Sequence, residues 1–156
     1  MKFKISYFYN VRHMKPYQVP VSTAMYDPKW YHNNKGHGHI FVDKNGVING
    51  LRHEALKPGD SCNGTCQGRE LCQGDPDCCL FLKMYEDQLK GTDFNKVKKE
   101  LEDGVVHVAK LNPMYSGEPL ECILMVYEKP DNPCSERGAL IRWFKDNGIK
   151  LVEFER

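Results

Sequence analysis

A chain of 156 residues with 40% hydrophobic and 11% aromatic side chains can bury a full core as a single domain, 1–156, without cross-links to replace it. The formal net charge of +1, with acidic and basic residues interspersed, excludes a broad polyanion-binding field and confines any nucleic-acid contact to a local patch. No stretch is apolar and long enough for a membrane span. The amino-terminal MKFKISYFYN also lacks the apolar core and cleavage site of a secretory signal, so the sequence reads as cytoplasmic with no membrane partner.

In chain order, Phe3 to Tyr9 is an aromatic and β-branched run that suits an early strand. From Asn10 to Trp30, Pro16, Pro20 and Pro28 interrupt regular structure, which predicts a long surface excursion. His39 to Asp43, Lys44-Asn45-Gly46, then Val47 and Ile48 read as a short hairpin outside the main sheet, because Asn-Gly tolerates the positive φ of a tight turn. A cysteine-rich stretch occupies residues 60–80. Beyond it a helix starting near Asp77 carries Phe81, Leu82, Tyr85 and Leu89 on one face. A second helix is predicted from an Asp93 cap through Phe94, Val97 and Leu101 to Gly104. Val105 to Ala109, Ile123 to Tyr127 and Leu151 to Phe154 suit strands. A helix from about Pro133 to Asn147, closed by Gly148, turns Leu140, Ile141 and Phe144 inward. Strand, helix, strand in the last third is a βαβ unit, whose strands run parallel in one sheet. The predicted fold is therefore α/β: a single three-layer domain with a mostly parallel sheet, a Pro-rich excursion and a Cys-rich loop.

Five of the seven cysteines lie in that loop, Cys62, Cys66, Cys72, Cys78 and Cys79. A reducing compartment disfavours a disulfide framework, and packing does not call for clustered thiols. Gly64, Gly68 and Gly74 let the backbone fold back so that Cys62, Cys66, Cys72 and either Cys78 or Cys79 can converge on one ion. The gaps of three, five and five residues match no common zinc-finger spacing. Zinc is the expected metal, and an iron–sulfur cluster uses the same ligands. The competing reading is a reduced or partly disulfide-linked loop whose thiols merely pack.

Between the last strand pair, Glu128-Lys129-Pro130-Asp131-Asn132-Pro133-Cys134-Ser135-Glu136-Arg137 joins a strand end to a helix start. Ligands of open α/β sheets bind at the carboxyl ends of strands, and helix amino termini attract anions. Asn132 as cap and Pro133 at the first helical position would put Cys134 within the first turn, where the helix dipole and Arg137 favour a thiolate. Cys134 and Arg137 are candidates for thiol chemistry or for holding an anion, and Glu128 for acid, base or ligand-orienting work. Against this, Cys134 has no base nearby in sequence, and it can equally pack beneath the helix while Arg137 pairs with Glu136 or Glu128.

Lys29, Trp30 and Tyr31 interleave aromatics with a cation in the excursion, a pattern that suits stacking on a nucleotide ring or covering the sheet edge. His37 and His39 share one face if extended and could bind a metal, but no local carboxylate or cysteine joins them, and they read as exposed hairpin residues. Cys122 begins an apolar strand and reads as core.

Three segments together carry a resemblance: Tyr26-Asp27-Pro28-Lys29-Trp30-Tyr31, the Cys-Asn-Gly-Thr-Cys loop leading to Leu80-Phe81-Leu82-Lys83-Met84-Tyr85, and Tyr127-Glu128-Lys129-Pro130 with Cys134-Ser135-Glu136-Arg137. Over most of its length the chain resembles the bacterial and phage family called domain of unknown function 488. Members of that family often carry Cys-His-Arg at the last segment; here the cysteine and the arginine match and the histidine does not. The resemblance implies a compact α/β fold in a bacterial or phage cytoplasm and supplies no catalytic assignment. The combined expectation is a small metal-containing enzyme or sensor for a nucleotide-like or phosphorylated ligand. The alternatives are a non-catalytic nucleic-acid or protein-binding module and an iron–sulfur redox protein.

Overall fold

The computed structural model describes residues 1–59, 75, 79–131 and 134–156. Among the described residues the elements are β1 (Lys2–Tyr7), β2 (Gln18–Ser22), β3 (Phe41–Val42), β4 (Ile48–Asn49), α1 (Leu80–Lys90), α2 (Phe94–Leu111), β5 (Glu121–Val126), α3 (Glu136–Asp146) and β6 (Val152–Glu153). The main sheet has the order β2-β5-β1-β6 with every pairing parallel, and β3 and β4 form a separate antiparallel pair. This is the expected α/β fold. No helix among the described residues is long and apolar enough to cross a membrane.

Central β5 explains the apolar run of its sequence, since Cys122, Ile123, Leu124, Met125 and Val126 are all fully buried between two layers. Cys122, read as core from the sequence, is core, and burial pushes its thiol pKa up. On one face Phe3, Ile5, Val19, Val21 and Leu124 pack against Leu82 and Tyr85 of α1, Leu101 of α2 and Leu140 of α3. On the other face Ile123 and Met125 pack against Phe8, Val11, Met14, Tyr31 and Val47 from the excursion and hairpin. The three layers are thus helices, sheet, and a largely irregular cover.

Two predicted elements differ from the structure. The excursion contains β2, because Pro20 sits on an edge strand where no neighbour asks for its missing N–H. Its carbonyl turns away from β5 and accepts from the Tyr31 hydroxyl, so its nitrogen faces the same outer side. Ser22, of the same parity, bonds outward to Leu51 and His53. The predicted helix end at Gly104 and strand at Val105 to Ala109 are instead the continuation of α2. Phe94, Val97, Leu101, Val105 and Val108 form one buried stripe, whose burial outweighs the ~1 kcal/mol cost of a helical glycine.

The remaining predictions are met with shifted boundaries. Asp93 caps α2 by accepting from the Lys96 N–H at 3.2 Å. The Asn45-Gly46 turn has Gly46 at φ +79°, and a Cβ there would come within 2.8 Å of the Met114 Cβ. β5, α3 and β6 form the parallel βαβ unit with β1 lying between its strands. The predicted start of the first helix at Asp77 lies outside the described residues, and α1 is described from Leu80.

Candidate functional site

Parallel strands end together. Tyr7 is in register with Val126, and Ser22 with Met125, so the loops leaving β1, β2 and β5 gather at one edge of the sheet. In open parallel sheets this carboxyl edge is where ligands bind.

The loop after β5 is tied down by its own charges. Ser135, rather than Asn132, is the described cap of α3, accepting from the Arg137 N–H at 3.2 Å; Asn132 and Pro133 lie outside the described residues. Cys134 therefore precedes the helix instead of sitting in its first turn, and it is half-buried. Arg137 donates through Nη1 to both carboxylate oxygens of Glu153 at 2.5 Å and through Nη2 to the Glu128 carbonyl at 3.1 Å. Its side chain is 5% exposed, so both terminal nitrogens are spent on fastening β6 to this loop. The Glu128 carboxylate accepts from the Ser135 hydroxyl at 3.2 Å. Glu136 is buried, and its Oε1 has no hydrogen-bond partner. Burial first, and then the Glu128 charge, raise the Glu136 pKa to about 8 despite nearby Arg137. The guanidinium thus bonds the Glu153 carboxylate and the Glu128 carbonyl, and its charge is felt by Glu136.

Beside this loop lies an aromatic edge. Buried Phe8 meets the Tyr31 ring at 5.2 Å, Trp30 at 6.3 Å and Tyr127 at 6.4 Å, each edge-on. Tyr31 is fully buried, and its single hydroxyl hydrogen is shared between the carbonyls of Pro20 and Leu51 at 3.0 and 2.7 Å. Burial, followed by the Asp27 charge, holds the Tyr31 pKa well above its ordinary value. Trp30 and Tyr127, by contrast, are 43% and 63% exposed, and Lys29, next to Trp30 in the chain, is exposed too. The structure therefore brings Trp30 toward Tyr127 through Phe8 and uses Tyr31 as core, while Lys29 lines the cleft over Asp27 and His32. Tyr7 and Tyr9 stack at 6.1 Å, with the guanidinium groups of Arg12 and Arg156 at 3.9 and 5.3 Å from the Tyr9 ring centre.

A third group escaped the sequence reading. Asp27 accepts on Oδ1 from Ser22 and from Arg52 Nη1, both at 2.5 Å, and Arg52 Nη2 reaches the Ala24 carbonyl at 2.9 Å. Burial works against the Arg52 charge, yet the hydrogen bond and charge of Asp27, joined by Glu54, hold its pKa above the ordinary value. His32 Nε2 lies 2.7 Å from Asp27 Oδ2. An open cleft of about 420 Å³ lies over this group, lined by Tyr26, Asp27, Lys29, His32 and His37 among others. The signal available in sequence was Asp27 within an aromatic-rich segment, but its partner Arg52 is 25 residues away.

Of the predicted metal ligands, Cys62, Cys66, Cys72 and Cys78 lie outside the described residues. Cys79 is half-buried immediately before α1 and packs against the helix-side core. No family model matches the chain, and no curated protein or solved structure does.

Proposed function

We propose that the chain binds a nucleotide-like ligand at the carboxyl edge of its sheet, acting as a small enzyme or sensor. The observation that supports this reading is the pair of exposed rings, Trp30 and Tyr127, which come from separate loops and rest on one buried Phe8. Large exposed aromatics held rigidly from below offer stacking area at little entropic cost, and stacking on a base contributes about 1–3 kcal/mol. Lys29, adjacent to Trp30 in the chain, is the cation offered to a phosphate. Arg137, with its terminal nitrogens engaged, positions the loop that carries Glu128 and Cys134. Zinc on Cys62, Cys66, Cys72 and Cys78 or Cys79, with an iron–sulfur cluster as its rival, and kinship to the resembled family belong to the same proposal and rest on the sequence arguments alone.

Tryptophan fluorescence tests this directly, because the other tryptophan, Trp143, is buried at 8% exposure and packed against Phe94 and Phe144. Titration with AMP and ATP is expected to quench Trp30. Trp30→Ala and Tyr127→Ala are each expected to weaken binding by about tenfold to a hundredfold, the equivalent of one stacking contact. Unaltered fluorescence and no calorimetric heat at millimolar nucleotide would refute the reading. Cys134→Ala then separates enzyme from sensor: an enzyme loses turnover and keeps its melting temperature, whereas a sensor keeps its binding.

A second reading, single-stranded nucleic acid, draws on the Tyr7 and Tyr9 stack with Arg12 and Arg156, a further set of aromatics and cations beyond Trp30 and Tyr127. Oligonucleotide binding that falls steeply with salt, while mononucleotides fail to bind, would favour it.

A further inference from the structure

We propose that Asp27, His32 and His37 form a metal site separate from the cysteine loop, taking a divalent first-row transition ion, Zn²⁺ or Fe²⁺, through one carboxylate oxygen and two imidazole nitrogens. One donor atom from each of the three residues lies within 4.8 Å of the others, and all three line the same open cleft. A tetrahedral ion with bonds of about 2.0–2.1 Å holds its donors about 3.4 Å apart, so the 2.7 Å contact between Asp27 and His32 has to open by roughly 0.7 Å while His37 closes by roughly an ångström. His37, whose side chain is 65% exposed, is placed to make the larger movement, and the Asp27 and His32 side chains, 2% and 6% exposed, make the smaller one.

The backbone explains why His37 returns to His32. Asn33 and Asn34 have φ of +54° and +57°, and Gly36 and Gly38 have φ of +94° and +93°, so the chain turns back on itself within six residues of His32. The two imidazole rings end 5.5 Å apart.

The surroundings orient the fixed donors as metal ligands are oriented. A carbonyl oxygen can only accept, so His32 Nδ1 donates to the His39 carbonyl at 3.0 Å, which leaves Nε2 aimed at Asp27. Ser22 and Arg52 both occupy Oδ1 of Asp27 and leave Oδ2 toward His32. Arg52 weakens the carboxylate as a donor, and Lys29 adds positive charge to the cleft. Glu54 offsets them, accepting from Arg52 Nε at 3.1 Å and lying 3.3 Å from His37 Nε2. The 2.7 Å contact between His32 Nε2 and Asp27 Oδ2 brings two metal-ligating atoms face to face. Two nitrogens and one oxygen favour zinc or ferrous iron over Mg²⁺ and Ca²⁺, which prefer oxygen alone. Three protein donors leave a coordination position open to the cleft. The site stands independently of the nucleotide reading.

The test compares the full chain with His37→Ala and His39→Ala after anaerobic purification with both metals supplied. His37→Ala removes an exposed ring that touches only the His32 ring and Glu54 in the described contacts, so its metal-free melting temperature is expected to match the parent. The parent and His39→Ala are expected to hold one more equivalent of zinc or iron than His37→Ala, with elemental analysis reading which metal. Co²⁺ is expected to bind the site at least about tenfold more weakly in His37→Ala. The difference spectrum between the Co²⁺ forms should show d–d bands without thiolate-to-cobalt charge transfer. Equal stoichiometry and affinity in parent and His37→Ala would overturn the proposal. Equal losses in His37→Ala and His39→Ala, or a thiolate band in the difference spectrum, would do so as well.

Discussion

Glu136 places a carboxyl where water cannot reach it and leaves one oxygen without a donor. Its pKa rises from the ordinary 4.5 to about 8, mainly through burial. Below pH 4.5 the group is protonated in folded and unfolded chains alike, and it does not affect stability. Between 4.5 and about 8 the unfolded chain has released the proton that the folded chain retains, so stability falls as pH rises and levels off above 8. Glu136→Gln mimics the protonated form. In denaturant unfolding it is expected to match the parent at pH 4.5 and to exceed it by on the order of a few kcal/mol at pH 8. A parallel pH profile for both proteins would show that this carboxyl ionises freely in the fold. From sequence, Glu136 was visible only as a partner for Arg137; its burial depends on how α3 packs.

Among the elements, α2 and β2 carry the separate lessons of glycine and proline. Nothing lies within 4 Å of the position a Gly104 Cβ would take, and the helix continues past it. Gly104→Ala is therefore expected to raise the unfolding free energy by about 0.5–1 kcal/mol, read by urea denaturation. A loss of stability would mean that this position needs glycine. The edge strand β2 depends on Tyr31, whose hydroxyl bridges the Pro20 and Leu51 carbonyls. Tyr31→Phe leaves the Pro20 carbonyl without its donor, while the Leu51 carbonyl keeps the Ser22 N–H at 2.8 Å, and is expected to cost about 1–3 kcal/mol in the same assay. A neutral result would mean that water replaces the hydroxyl.

For the whole molecule, the all-parallel sheet decides what meets what. Its alignment brings the ends of β1, β2 and β5 together, and the cover layer is then pinned to the sheet by the buried Asp27 and Arg52 pair at 2.5 Å. Asp27→Ala would leave a guanidinium that is 5% exposed with only the exposed Glu54, at 3.1 Å from its Nε, as counter-charge. The expected cost is about 3 kcal/mol, seen as a lower denaturation midpoint. Asp27→Ala together with Arg52→Met should recover much of that loss, because it removes the stranded charge as well. If the double variant is no more stable than the single one, the pair matters for something other than charge balance.

Local chemistry determined what depends on neighbours in the chain: the Asp93 cap, the Asn45-Gly46 turn, the helix stripes of α1 and α3, and the closing βαβ unit were all legible in the sequence. Where burial competes with local propensity the sequence was a poor guide, as at Gly104, where a long apolar stripe overrides a stop signal, and at Pro20, which is admitted because β2 is an edge. The adjacent Trp30 and Tyr31 look alike in sequence, yet one faces solvent and the other fills the core. Asp27, His32, His37 and Arg52 are spread over 26 residues, and no local spacing relates the carboxylate to its partners. Their meeting required the positive-φ turn after His32 and the packing of residues 51–53 beside β2, because only chain reversal and layer packing can bring such distant polar groups within bonding range.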